Sequence, residues 1–418
     1  MTLQASVAAL DAATIARISD DHDEPDWLRA LRASWWERAE ATPWPTGQEE
    51  EWRRASLDKL PLDLELLDTA GGVHCALEDE YAALGVVFTD LRTALSEHPD
   101  LVRRYLGAEG SLDSHAHFWA LAQAAWTGGL FLYVPAGVEI DRTLVARSAL
   151  ARAEVAYFPL SLVVAERDSS VTLLEEVVSP DGGTGWFGGI VDVHALDGAR
   201  VRYANLQRLG DRTWNIGAQR VVVGQDANVT TLNAEVGSRV TKVGLDVQMS
   251  GKGGTSRLLG ILAAGEDQQI DINSVQNLSA SHTTSDLLYL SALYDRAKAA
   301  FYGVIKIQPD ARATSSYQEC RNLLLSTDAG ASPIPVLEIM NNDIIRCGHG
   351  ATAGAIDPVM LFYAQSRGLN PDDAERMIVR GFFEQVVSKI EDETIRERVL
   401  EALVARIGSS ELLAGEAA

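Results

Sequence analysis

Asp168-Ser169-Ser170-Val171 opens a phrase, a turn residue leading into a strand-like run, that returns as Gly198-Ala199-Arg200-Val201, Asp226-Ala227-Asn228-Val229, Asp267-Gln268-Gln269-Ile270 and Asp310-Ala311-Arg312-Ala313. Polar and apolar residues alternate after each, and successive first residues are 30, 28, 41 and 43 positions apart. A turn and then a strand at a loosely fixed interval is how a stacked β solenoid reads, because each coil buries its apolar face against its neighbours. A β-sandwich is the alternative, but its strands would recur every ~8–12 residues. Helical periodicity is nearly absent from Leu130 to about Ile345, which excludes a sheet built from βαβ units.

Both flanks read differently. Pro25 sits where a first helical turn tolerates it, with Leu28, Leu31 and Trp35 at helical spacing, and Pro43 and Pro45 end that helix. Further helices are expected over Asp79–Tyr105 and Ser114–Ala125, the latter closed by Gly128-Gly129. After the β region, Asp357-Pro358 and Asn370-Pro371 are caps followed by proline at the first helical position. Ala374, Met377, Ile378, Phe382 and Val386 are expected on one face, and a last helix carries Ile395, Val399, Leu403 and Ile407. The reading is mainly β: a solenoid core over 129–356, a helical region over 1–128 and a second over 357–418, the helices capping ends that would otherwise invite aggregation.

Composition narrows the function. Of 418 residues 46% are hydrophobic and 23% charged, a globular balance, and the formal net charge of -23 opposes nucleic acid and anionic membrane. The stretch Met1–Leu10 has no basic start and no long apolar run, and no segment reaches ~18 consecutive apolar residues, so neither a secretory signal nor a membrane span is expected. Cys75, Cys320 and Cys347 are odd in number and widely spaced, which fits a reducing cytoplasm.

Enzyme signatures are missing. Gly251-Lys252-Gly253-Gly254 lacks the upstream glycine of a phosphate loop and leads into a strand. His115 and His117 lie in a helical segment whose geometry points them apart, so both are read as structural or solvated. The five tryptophans between Trp27 and Trp52 are read as core or docking anchors, and Glu49-Glu50-Glu51 as a solvated helix face. The unusual constellation is Ile345-Arg346-Cys347-Gly348-His349-Gly350-Ala351-Thr352. In a strand, residues two apart share a face, so Cys347 and His349 project together, and the glycines leave the other face bare. A thiolate beside an imidazole suits iron, zinc or cluster sulfur chemistry. Cys320, 27 residues earlier, could lie about one coil away and add a ligand. The plain alternative is a small buried Cys347 and a hydrogen-bonded turn residue His349.

The stretches Gln318–Ser326, Leu337-Glu338-Ile339, Asp343–Asp357 and Leu361–Leu369 resemble the C-terminal signature of the SufD family, within the SufB/SufD superfamily of iron–sulfur cluster assembly scaffolds. Cys347–Thr352 is similar to the family's CSHGAT, with Gly348 for serine, and Tyr133–Val138 resembles its YVPKGV, with alanine for lysine. Pro25–Leu28 and Glu50–Arg54 resemble its N-terminal segments. The resemblance implies a right-handed parallel β-helix with helical flanks and no turnover of its own. It implies edge-to-edge pairing with SufB and docking of the ATPase SufC through Met360, Leu361, Phe362, Tyr363, Arg367, Gly368, Leu369 and the helix that follows. His349 matches the family's proposed interface ligand histidine, and Cys347 its neighbouring cysteine. No cofactor would be tightly bound in the isolated chain; iron or a nascent cluster would pass through the SufB interface. A second copy of the chain is the alternative partner in isolation.

Gly348 and Gly350 stand where SufB proteins carry glutamates, which favours SufD, whereas Cys320 in Tyr317-Gln-Glu-Cys-Arg-Asn322 lines up with a sulfur-accepting cysteine of SufB. A SufB-like subunit is therefore one alternative. Another, of a different class, is a β-helical polysaccharide lyase, which the missing signal peptide and the large helical flanks oppose.

Overall fold

The computed structural model describes residues 10–55, 57, 59–67, 73–107, 115–180 and 182–407. Ser114, most of Met1–Leu10 and the Ile407 side chain, on which the sequence reading touched, lie outside the described structure. The chain forms a parallel β solenoid of eight coils, each giving one strand to each of two facing sheets. Sheet one runs from Leu130–Val134 to Gly330–Ile339, and sheet two from Glu139–Ala149 to Ile344–Ala355.

The true period is tighter than the phrase spacing suggested. Sheet-two strands start at Ser170, Arg200, Asn228, Thr255, Thr284, Thr314 and Ile344, 27 to 30 residues apart. The intervals of 41 and 43 arose because Asp267 opens a sheet-one strand, Gln269–Leu278, whereas the other phrases open sheet-two strands. At the corner entering sheet two, one residue in each of the first seven coils adopts the left-handed region: Gly137, Asp168, Gly198, Asp226, Gly253, His282 and Ala313. The N–H of each donates to a carbonyl of the next coil, from Gly137 to Arg167 at 2.9 Å through to Ala313 to Asp343 at 2.7 Å. The stacking bond holds the turn, so the corner accepts Asp, His and even Ala in a conformation that normally favours glycine.

Between the sheets lies a lumen of interdigitated Val, Leu, Ile and Ala side chains, including Val193, Val221, Leu245, Ile272 and Ile305. The helices do not plug its ends, as the sequence reading expected; they lie along its sides. Asp26–Ala41 and Ala116–Ala125 cover the outer face of sheet one, where Phe118, Trp119 and Trp126 meet Ile190, Ile216 and Ala218. Three buried ion pairs lie on that side: Arg32–Glu24 at 2.7 Å, Arg220–Asp192 at 2.5 Å and Lys242–Asp271 at 3.0 Å. Pro371–Val387 and Glu393–Ile407 cover sheet two. The buried residues of the former are Ala374, Val379, Phe383, Val386 and Val387, while Met377 is exposed, so the expected face was rotated.

Two further expectations change. Asp79–Tyr105 is three short helices interrupted by the strand Val87–Asp90, which pairs antiparallel with Leu130–Val134. Val73–Cys75 does the same for sheet two, so short antiparallel strands finish both sheets at the N-terminal end. Glu49–Glu51 lies in turns, not on a helix face.

Candidate functional site at the open coil

The C-terminal end is not finished. Gly330–Ile339 and Ile344–Ala355 are the outermost strands, each paired on one side among the described residues. Bare strand edges are templates for another chain. Exposed apolar residues fringe them: Ile339, Met340 and Ile345, the last 74% exposed.

The register fixes what this edge presents. Cys347 lies opposite Ser316, His349 opposite Gln318 and Ala351 opposite Cys320. Ser316, Gln318 and Cys320 are buried and alternate with the more open Ser315, Tyr317 and Glu319, so they face the lumen. Cys347 and His349 therefore lie on the lumenal face of a coil upon which no described strand is stacked. Cys347 is part-buried against the lumenal core and His349 is exposed.

Cys320 lies one coil beneath, but not beneath Cys347. It is four residues along from Ser316, ~13 Å at strand rise, with His349 between the two thiols on the grid. Cys320 is buried, and burial pushes its thiol up to about 12. Asn322 Nδ2 approaches its Sγ at 3.6 Å and donates to Thr352 O at 2.9 Å, while Ser291 Oγ donates to Asn322 Oδ1 at 2.5 Å. One amide thus links the buried sulfur to the edge strand, a contact that sequence reading missed. Burial also raises the Cys347 thiol. Cys75 is remote, on the N-terminal antiparallel strand, its Sγ facing Phe88 O at 3.8 Å.

The glycine face is not bare. The Tyr317 ring lies against both Gly348 and Gly350, and the Arg346 guanidinium stacks 4.2 Å from its centroid. Among the described residues no group of three or more His, Cys, Asp or Glu is placed to hold a metal. Cys347 and His349 supply an incomplete ligand set, and their imidazole and thiol fit soft or borderline metals.

Beyond the edge, Asp357 caps the helix Pro358–Ser366 by accepting from Val359 N at 2.8 Å. This helix exposes Val359, Met360, Phe362 and Tyr363, with Val359 and Phe362 each 71% exposed. Arg367 donates to Tyr363 Oη at 3.0 Å, Gly368 reverses the chain at φ 101°, and Leu369 is part-buried. Val359 was missed in the sequence, although it opens the apolar run Val359–Phe362. His115 and His117 are not turned apart: both border a groove with Thr42, Pro43 and Trp52. His117 Nδ1 meets Thr42 O at 2.9 Å, and burial holds His115 well below the usual imidazole range.

The family model described as "SUF system FeS cluster assembly, SufBD core domain" matches residues 148–382, which take in the open coil and the exposed helix. The chain belongs to the SufBD family. The SufBD N-terminal region model matches residues 74–145. A similar SufBD relative is the iron–sulfur cluster assembly protein SufD of Bacillus subtilis, 27% identical over 97% of this chain and 100% of its own length. SufBD family proteins of Staphylococcus saprophyticus and Staphylococcus epidermidis are each 28% identical over 76% of this chain and 68% of theirs. Membership of the SufBD family ties the chain to iron–sulfur cluster assembly by the SUF system. No helix among the described residues is long and apolar enough to cross a membrane.

Proposed function

We propose that the chain is a non-catalytic scaffold subunit of SUF assembly that pairs its open coil with SufB and receives the ATPase SufC on Pro358–Ser366. The observation that carries this is an edge strand, open on one side among the described residues and bearing Cys347 and His349, followed directly by a helix that exposes Val359, Met360, Phe362 and Tyr363. A SufB strand added to the edge satisfies its open N–H and C=O groups. The same addition brings a second ligand set over Cys347 and His349. Iron or a nascent cluster is cargo at that joint, and the partner's ATP supplies the work. In isolation a second copy of the chain can occupy the same edge. The compartment is the reducing cytoplasm, where the three thiols stay free.

The test is His349→Ala in the assembled complex. His349 is exposed, so folding and SufC binding are expected to persist while cluster formation falls. A wild-type cluster yield would remove His349 from the site.

A second reading is favoured by Cys320, which occupies the position of the sulfur-accepting cysteine in the similar SufB segment. On that reading the chain also handles sulfur itself, beneath the joint.

A further inference from the structure

Gln318 is fully buried on the lumenal face, and neither its Oε1 nor its Nε2 has a hydrogen-bond partner among the described residues. Leaving buried polar groups unpaired is destabilising, whereas a Leu or Met of similar size would fill the space without that cost. The neighbouring amide nitrogens are engaged, with Gln276 Nε2 donating to Ser285 O at 2.9 Å and Asn322 Nδ2 to Thr352 O, although Gln276 Oε1 has no partner among the described residues. The opposite wall is cut away for Gln318. A β-carbon at Gly303 would collide with its amide nitrogen and with the Phe301 ring. Ser274, in register with Gly303 on the next strand, is buried with an unpartnered hydroxyl. The end of the lumen thus holds uncommitted N–H and O–H donors. On the strand grid they have His349 above Gln318 and Cys320 two residues along the same face.

We propose that Gln318, with the Ser274 hydroxyl, forms a sulfur-anion site that holds the outer sulfur of a persulfide on Cys320. This rests on the second reading above, in which Cys320 handles sulfur. An anionic sulfur in a low-dielectric lumen is stabilised by N–H and O–H donors. Loading by inorganic polysulfide is balanced. The Cys320 thiol gives its proton to solvent, and the thiolate attacks a terminal sulfur. One S–S bond forms, one breaks, and the polysulfide leaves one sulfur shorter with the electron pair.

The experiment exposes the full chain to inorganic polysulfide, removes the excess, and reads persulfide at Cys320 and Cys347 by peptide mass spectrometry over time. Wild type is expected to retain sulfur at Cys320. Gln318→Met, which keeps the volume without the N–H, is expected to retain about ten-fold less, the effect of one hydrogen bond to a charged group. Gln318→Glu, which places a carboxylate against the anion, is expected to lose it as well. Cys347 is the internal reference and should change in neither. Gly303→Ala is expected to act like Gln318→Met by displacing the amide. Cys320→Ser should hold no sulfur. Undiminished persulfide in both Gln318→Met and Gln318→Glu overturns the assignment and leaves the amide to buried water. No sulfur at Cys320 in wild type overturns the underlying reading instead.

Discussion

Replacing Phe362 by alanine removes an aromatic ring that the isolated chain leaves 71% exposed. Folding gains little from it, so unfolding free energy should change by no more than about 0.5 kcal/mol. Binding is another matter. An aromatic residue offers ~200 Å², and covering roughly 140 Å² at ~25 cal/mol per Å² contributes about 3.5 kcal/mol. That corresponds to roughly 300-fold in Kd. Isothermal titration of SufC into wild type and Phe362→Ala should show that loss, with thermal melts of the two chains superimposed. Leu84→Ala is the control, because Leu84 is 56% exposed near the opposite end of the solenoid and should bind SufC normally. A Phe362→Ala chain that binds SufC within two-fold of wild type would refute the assignment of this helix as the docking surface.

Two further predictions concern the body of the protein. Lys242 is wholly buried, paired with Asp271, bonded to Asn273 Oδ1 at 3.0 Å and to Glu51 O, and stacked on Trp52. Lys242→Met should destabilise by about 3–5 kcal/mol because it strands a buried carboxylate, and adding Asp271→Leu should recover most of that in denaturant titration. Recovery of nothing in the double variant would show that packing, not the ion pair, was lost. Glu235 is fully buried in the lumen, and burial pushes its carboxyl from 4.5 up to about 7. The folded chain therefore holds the proton over a range where the unfolded chain has released it. Its contribution to stability falls as pH rises from 4.5 to 7, by about 3 kcal/mol, and is level above. Glu235→Gln should remove that slope when wild type and variant are unfolded at pH 5 and pH 8; parallel profiles would contradict it.

The solenoid was legible because turn chemistry survives at each corner. The period was blurred because the same Asp-led phrase serves both corners, as Asp226 and Asp267 show. The caps at Asp357 and Asn370 were local signals and hold, with Asn370 accepting from Asp373 N at 2.9 Å. The burial face of Pro371–Val387 is set by the sheet beneath it, which no helical period contains, so Met377 was misplaced. Short strands such as Val73–Cys75 are too brief to carry alternation and exist because a sheet edge receives them. At the site, the shared face of Cys347 and His349 follows from strand geometry. Cys320 is offset because 27 residues fall three short of the 30-residue coil, and a register shift near Thr314, where Ser315 pairs with Arg346 and Ile345 is left over, adds a fourth. A spacing of 27 residues cannot reveal that. Gln318 and Asn322 read as ordinary polar strand residues; only the third dimension distinguishes an amide without partners from one that clamps a neighbour.

The two ends of the solenoid differ, and the difference limits what it can build. Short antiparallel strands terminate the N-terminal tip, while among the described residues the C-terminal tip keeps both sheet margins free. A rod adhesive at both tips would polymerise head to tail, as open heterologous contacts do. A rod adhesive at one tip joins another such rod and then has none left to offer. If the open coil pairs as proposed, growth would stop at two by geometry, at any concentration, without a separate element to prevent filaments.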